Sequence, residues 1–300
     1  QAEEGPKGTE EAQRRFTHIV PMHEGEGGAK TPFFLVAGMF GNVLNLRHLA
    51  HLIGSDRPFY GLQARGLFGD DDPHRDITEA ARDYLVELRE VQPHGPYLLG
   101  GFSGGGITAY EMAHQLEAEG EEVALVVMLD TPLPIRRSLE PKDRLLIQWQ
   151  ELRRQGLLYP FRWAANRIRW EIAKRRTPEP TAAPDHQFHN AAIEAAFYEA
   201  IGTYKVRPWA GNLHLFRPPL RGKWEVSDGR LVDADRAYVL PDNDWSGWAS
   251  GLQVQEVPGD HDSMVLEPNV RVLAARIRAA IEAAEAPEVT AGQKQAKAAE

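Results

Sequence analysis

Three features of the 300-residue chain predict an α/β fold, with a mostly parallel central sheet flanked by helices. Short, near-continuously apolar runs recur along it, as buried parallel strands require when helices cover both faces of a sheet. Stretches with helical spacing of apolar residues alternate with those runs. A glycine-rich turn, "GGFSGGG", joins one such run to one such helix.

In chain order, Gln1 to Arg15 is charged, contains Gly and Pro and has little periodicity, so it reads as a linker. The runs "FTHIVPM", "PFFLVAG", "PFYGLQA", "PYLLGGF" and "EVALVVMLD" read as strands. "DITEAARDYLVELREVQ" reads as a helix, with Asp76 and Glu79 in capping-box spacing. Its Ile77, Ala80, Ala81, Tyr84, Leu85 and Leu88 make one apolar face. The alternation stops after Asp130. From Pro141 to about Arg207 only helical segments follow, among them "DRLLIQWQELRRQGLL" and "PFRWAANRIRWEIAKRR", interrupted by "TPEPTAAPD". Strand patterns resume with "NLHLFRP" and "LQVQEVPG", and "NVRVLAARIRAAIEAA" closes as an amphipathic helix. The expected organisation is a linker over 1–15, one α/β domain over 16–285 with a helical insertion at about 135–207, and a tail over 286–300.

Composition narrows the function. A net charge of −9 argues against a dedicated nucleic-acid binder. The absence of cysteine excludes disulfides, thiolate metal sites and a cysteine nucleophile, and fits a reducing, cytoplasmic setting. No apolar run is long enough to cross a bilayer, and the N-terminus lacks the apolar core of a signal peptide. The chain starts without Met, as expected of a piece of a longer polypeptide.

The glycine cluster has two competing explanations. A phosphate-binding P-loop needs lysine where Ile107 stands, and no dinucleotide fingerprint occurs at the first strand–helix junction. Gly101-Phe102-Ser103-Gly104-Gly105 instead matches G-x-S-x-G, a sharp strand-to-helix turn that presents a serine hydroxyl at the C-terminal end of a strand. The following helix N-terminus lends amide donors to an oxyanion. A serine hydroxyl needs a base, and the base an orienting acid. On α/β-hydrolase folds these follow in the order Ser, acid, His, on loops after later strands. His261, in "EVPGDHDSM" after the last strand, fits the base. His51, His74 and His94 precede the serine, His114 lies on the next helix, His186 and His189 lie in the insertion, and His214 lies inside a strand. Asp130, at the end of "VALVVMLD", is the favoured acid. Asp233, Asp235, Asp242 and Asp244 follow the "NLHLFRP" strand and compete with it, and Asp260 and Asp262 flank the histidine.

Together these stretches resemble the thioesterase domains that end nonribosomal peptide and polyketide synthases, within the α/β-hydrolase fold. The resemblance rests on "FFLVAGMFGNVLNLRHLA", "PFYGLQARG", "YLLGGFSGGGITAYEMAHQLEAEGEEVALVVMLDTPLP", "GNLHLFRP" and "VQEVPGDHDSMVLEP". It implies Asp130 as the acid, with Ser103 and His261. It also implies an oxyanion hole from the backbone N–H of Gly104 and, within about one residue, of Met39, because this chain has Ala37-Gly38 where the family often has His-Pro. The insertion would be the family's lid over the acyl pocket. The implied substrate is an acyl or peptidyl chain thioester-linked to the phosphopantetheine arm of a carrier-protein domain, with no cofactor or metal bound to the chain itself.

The insertion has a charge signature of its own: Pro141 to Arg176 holds ten Lys/Arg against three Asp/Glu. Arg153 and Arg154 are candidate carrier-docking residues. Solvated helix faces are the alternative for this basic patch. Phe102 is a candidate for substrate or carrier contact, and Trp149 and Trp163 (with Trp170) are candidates for the acyl channel, with packing of the insertion as the alternative. The competing functions are an editing, type II-like thioesterase, a free-standing serine esterase and a non-catalytic binding module on the same fold.

Overall fold

The computed structural model describes residues 18–26, 30–67, 71–135, 137–156, 190–234 and 236–286. Seven strands form the central sheet: β1 (Ile19–His23), β2 (Phe33–Val36), β3 (Phe59–Leu62), β4 (Tyr97–Phe102), β5 (Val123–Leu129), β6 (Trp209–Arg217) and β10 (Ala249–Glu256). Their order across the sheet is β1-β3-β2-β4-β5-β6-β10. Only β1 runs antiparallel to its neighbour; the other pairings are parallel.

Strand alternation sorts the apolar side chains onto two faces. In β2, Phe34 and Val36 join one core with Tyr97 and Leu99 of β4, while Phe33 and Leu35 join the opposite core with Leu98. Helices α2 (Ile77–Val91) and α3 (Gly105–Ala118) cover the first face. Helices α1 (Arg47–Ile53) and α6 (Val270–Glu285) cover the second. With both faces covered, β4 is buried along its whole length. That burial explains why strands at the sheet centre read as unbroken apolar runs.

The apolar face expected for α2 is the buried one, and its start is capped as expected: Asp76 accepts from the Glu79 N–H at 2.9 Å. The reciprocal half of the capping box differs. The Glu79 carboxylate pairs with Arg65 at 3.0 Å instead of turning back to its own helix end.

Between β5 and β6 the chain carries α4 (Pro141–Gln155) and α5 (Ala191–Thr203). The expected helix "PFRWAANRIRWEIAKRR", the break "TPEPTAAPD", and Trp163, Trp170, His186 and His189 lie outside the described residues, as do the expected linker and most of the expected tail. A small antiparallel sheet, β7 (Trp224–Glu225), β8 (Leu231–Val232) and β9 (Tyr238–Val239), was not foreseen and sits between β6 and β10 in sequence. Two-residue strands are too short to display a periodicity. Its Trp224 and Val232 pack with Ile147 of α4. Among the described residues, no helix is long and apolar enough to cross a membrane.

Candidate active site

Four loops leave the C-terminal ends of the parallel strands, and each begins with one further rung to the neighbouring strand. The Ala37 N–H donates to the Leu62 carbonyl (2.9 Å), Ser103 to Leu129 (2.8 Å), Asp130 to Phe216 (2.7 Å) and Val257 to Arg217 (2.8 Å). The loops that follow carry the oxyanion candidates, the serine, the acid and the histidine.

Ser103 sits between β4 and α3 with φ of 52°, a left-handed backbone that costs a non-glycine residue about 1–3 kcal/mol. Close packing holds it there. A Cβ on Gly101 would lie 2.2 Å from the Gly105 carbonyl carbon, and one on Gly105 would lie 2.2 Å from the Ala37 carbonyl oxygen. Both glycines are therefore demanded by the approach of strand, helix and oxyanion loop to one another. That answers the composition of "GGFSGGG": the glycines make room for a strained turn, and no phosphate cradle is needed to explain them.

The structure brings Ser103, His261 and Asp130 into a hydrogen-bonded line. His261 Nε2 lies 2.9 Å from Ser103 Oγ, and His261 Nδ1 lies 2.8 Å from Asp130 Oδ2. A carboxylate only accepts, so Nδ1 carries the proton and Nε2 is free to accept from the serine hydroxyl. Burial pulls the imidazole pKa down. The hydrogen bond and charge of Asp130, with the charges of Asp262 and Asp260, outweigh it and leave His261 above its ordinary value. Phe102, one residue before the serine, is buried, and its ring stacks on the imidazole with centroids 5.4 Å apart. This candidate for substrate or carrier contact thus packs against the histidine.

Asp130 also lies in left-handed backbone, at φ 46°. Its second oxygen, Oδ1, accepts from Asn243 Nδ2 at 3.0 Å, and the same amide donates to the Thr131 carbonyl at 3.2 Å. Trp245 Nε1 donates to that carbonyl as well, at 2.9 Å. Sequence reasoning missed Asn243, because the aspartates on either side of it drew attention as rival acids. Those rivals have other partners. Asp242 accepts from the N–H groups of Asp244 and Ser246, Asp244 pairs with Arg137, Asp233 accepts from the Ala237 N–H, and Asp260 accepts from Ser263. Asp235 lies outside the described residues. Among the other histidines, His74 pairs with Asp83 (2.8 Å) and the exposed His94 with Glu121 (2.9 Å), while His214 is buried in β6.

The loop after β2 abuts the serine turn from the other side. A Cβ on Gly38 would lie 3.2 Å from the Phe102 ring, and Gly105 faces the Ala37 carbonyl as described. Met39 follows on this loop, half-buried, and its sulfur accepts from the Tyr198 hydroxyl of α5 at 3.6 Å. Neither the Met39 N–H nor the Gly104 N–H has a partner among the described residues. The Gly104 N–H stands at the N-cap of α3, at the positive end of the helix.

The remaining candidates stand apart from this line. Trp149 is half exposed on α4, with the Arg153 guanidinium 3.8 Å from its ring centroid, and Arg153 and Arg154 are exposed in the last turn of that helix. One group among the described residues has metal-ligand chemistry: His18, His74 and Asp83, with donor atoms within 4.8 Å of one another. The Asp83 oxygen bonded to His74 also accepts from Arg65 at 3.0 Å, so a guanidinium already neutralises it.

Comparison with known proteins gives the chain a family. The Thioesterase domain family matches residues 31–280. Over 272 residues the chain is 37% identical to atromentin synthetase invA5 of Paxillus involutus, which covers 85% of this chain and 27% of the synthetase. The chain spans from 2% to 27% of the length of the curated relatives compared. In three dimensions it resembles the NocB thioesterase domain from the nocardicin cluster, with a TM-score of 0.58 at 21% identity over 88% of this chain and 98% of that one. It also resembles YbtT, a type II thioesterase from the yersiniabactin pathway, with a TM-score of 0.57 at 16% identity over 90% of this chain and 100% of that one. At such identities the structural likeness is one of fold. With the family matched over most of its length and the same fold around its serine turn, this chain belongs to the thioesterase-domain family.

Proposed function

We propose that the chain releases an acyl or peptidyl group from the phosphopantetheine thioester of a carrier-protein domain, through an ester on Ser103. The observation that carries this reading is the line from Asp130 through His261 to Ser103, at 2.8 and 2.9 Å. His261 Nε2 takes the hydroxyl proton as Ser103 Oγ attacks the thioester carbonyl. The oxyanion that forms is held by the N–H groups of Gly104 and Met39, each worth about 3 kcal/mol in the transition state. The C–S bond breaks, the thiol leaves with the proton from His261, and the acyl group stays on Ser103. Water, or a nucleophile within the chain being released, then attacks the ester with His261 again as base. The carrier supplies the phosphopantetheine, so the chain itself needs no cofactor. Release of a finished chain is favoured over editing because the relatives are synthetases several times longer than this chain.

The test is intact-mass analysis after incubation with a small acyl-N-acetylcysteamine thioester, beside Ser103→Ala. An acyl-sized mass increase, or thioester turnover, in the parent chain and in neither form of the variant is the expected result. Turnover undiminished in Ser103→Ala would overturn the serine mechanism, and neither adduct nor turnover on free or carrier-borne thioesters would overturn the activity. Linear against cyclic product from a carrier-borne peptide then distinguishes water from an internal nucleophile.

A further inference from the structure

Arg217, the last residue of β6, is a charged residue only 6% exposed. It continues the alternation that places Leu213 and Leu215 in the first core, so it stands on the face covered by α2 and α3. An arginine is seldom buried without a paired carboxylate. Among the described residues this one makes no ion pair, and its buried Nε has no hydrogen-bond partner. Its charge is therefore not spent in a contact.

The sheet register places that charge next to the acid. Leu129 of β5 is aligned with Phe216, and Glu256 of β10 with Arg217. One step beyond Leu129 the chain turns at Asp130, whose N–H donates to the Phe216 carbonyl at 2.7 Å. Adjacent strands lie about 4.8 Å apart, so Asp130, Arg217 and Glu256 form a row across three strand ends. Burial pulls the guanidinium pKa down, against the charges of Asp130, Glu256 and Asp242, the last on the loop after β9. An arginine stays protonated through such a contest. The charges that face His261 give this cation a task. Asp130 from the end of β5, and Asp262 and Asp260 from the histidine's own loop, all favour the imidazolium. Ser103 and the Phe102 ring face it from the serine turn and are neutral. The exposed Arg221, on the loop after β6, lies 4.0 Å from Asp260. Three anions make a strong base, but a base that is already protonated cannot take the serine proton.

We infer that Arg217 is a positioning residue for the reaction: from beside the acid, its charge keeps Asp130 a carboxylate and stops His261 from holding its proton too tightly. The inference rests on the acyl-Ser103 reading for its effect on rate, and not for its effect on the imidazole. A nearby cation repels the imidazolium, so removing it must raise the His261 pKa. For a unit charge one strand away in a protein interior, a rise of about half a pH unit is expected. Salt screens such an internal interaction little.

The experiment replaces Arg217 by Met, which removes the charge and keeps an unbranched side chain, and by Lys, which keeps the charge. The His261 Cε1–H resonance, assigned by its absence in His261→Gln, is titrated by NMR in the full chain without substrate. The acidic limb of kcat/KM is measured beside it on a small acyl-N-acetylcysteamine thioester. In Arg217→Met both are expected to move up by about half a pH unit, so that kcat/KM well below the limb falls about threefold relative to its plateau. In Arg217→Lys both are expected to keep the parent's position. An unmoved titration in folded Arg217→Met overturns the inference. So does an equal shift in Arg217→Lys, because the charge would then not be its cause. If Arg217→Met does not fold, Arg217→Gln is titrated in its place. Failure of both to fold would make the guanidinium a structural counter-ion and overturn the inference as well. A shifted titration in a chain that turns over no thioester would instead overturn the proposed activity and leave the coupling of Arg217 to His261 standing.

Discussion

Ser103 and Asp130 end neighbouring strands, and both turn through left-handed backbone, at φ 52° and 46°, yet the two turns are built from opposite materials. The serine turn is held by what is missing: glycines let β4, α3 and the oxyanion loop approach so closely that no other local conformation fits. The acid turn contains no glycine. It is held by added bonds, from Asn243 to Asp130 Oδ1 and from Asn243 and Trp245 to the Thr131 carbonyl, across more than a hundred residues of chain. A strained backbone can thus be enforced by local packing or by remote hydrogen bonds, and the two devices should fail differently.

The largest effect is expected where the acid's charge is removed and its shape kept. Asp130→Asn should lower kcat about 10⁴-fold, because an amide no longer selects the Nδ1–H tautomer or stabilises the imidazolium. The pH profile provides a second readout. His261 must be neutral to act as base, and its pKa is raised, so the acidic limb of kcat/KM should lie above the ordinary histidine value of about 6.5. In Asp130→Asn the burial that lowers the pKa remains while its main opposing partner is gone, so the limb should move to lower pH. A limb that stays in place would mean that Asp130 does not set the histidine's basicity.

Next is the packing device. In Gly105→Val the first added carbon meets the Ala37 carbonyl oxygen, and the strand–helix junction must shift to accept it. A loss of about 3 kcal/mol in urea unfolding is expected, together with activity. Wild-type stability in this variant would mean that the oxyanion loop, and not the turn, yields.

The smallest effect tests the remote device. Asn243 is itself left-handed, at φ 48°, so Asn243→Gly keeps the backbone and removes only the side-chain bonds. A drop in kcat of about tenfold with little change in KM is expected as Asp130 loses one of its two anchors. Asn243→Ala should show the same kinetic loss plus about 1 kcal/mol of destabilisation from the forced backbone. Full activity in Asn243→Gly would show the acid turn to be self-supporting and dissolve the contrast with the serine turn.

The same contrast explains what could be read in advance. The serine turn was legible because its constraint is local and leaves its mark as glycines within a few residues. The strands were legible where burial on both faces makes them wholly apolar, as in β4 and β5. His261 was legible from chain order, and Asp130 from its strand end with the help of a family resemblance. Asn243 was not, because its work depends on a contact with a residue 113 positions away and an asparagine in a polar loop has no distinctive neighbours. The β7–β9 sheet was missed because it is assembled from pairs of residues.

The four extra rungs that open the functional loops have a consequence for how such a chain can change. Each loop starts at a fixed station on a ruler whose divisions are the strand spacing of about 4.8 Å. Whatever is spliced into one loop beyond its rung, the stations of the other three stay where the sheet puts them. The span between β5 and β6 already carries 79 residues on this principle, from Asp130 to Pro208, and lengthening such a span costs only a logarithm of its length. The reacting groups are thereby uncoupled from the length of the span between β5 and β6, so that one can be rewritten while the other is kept.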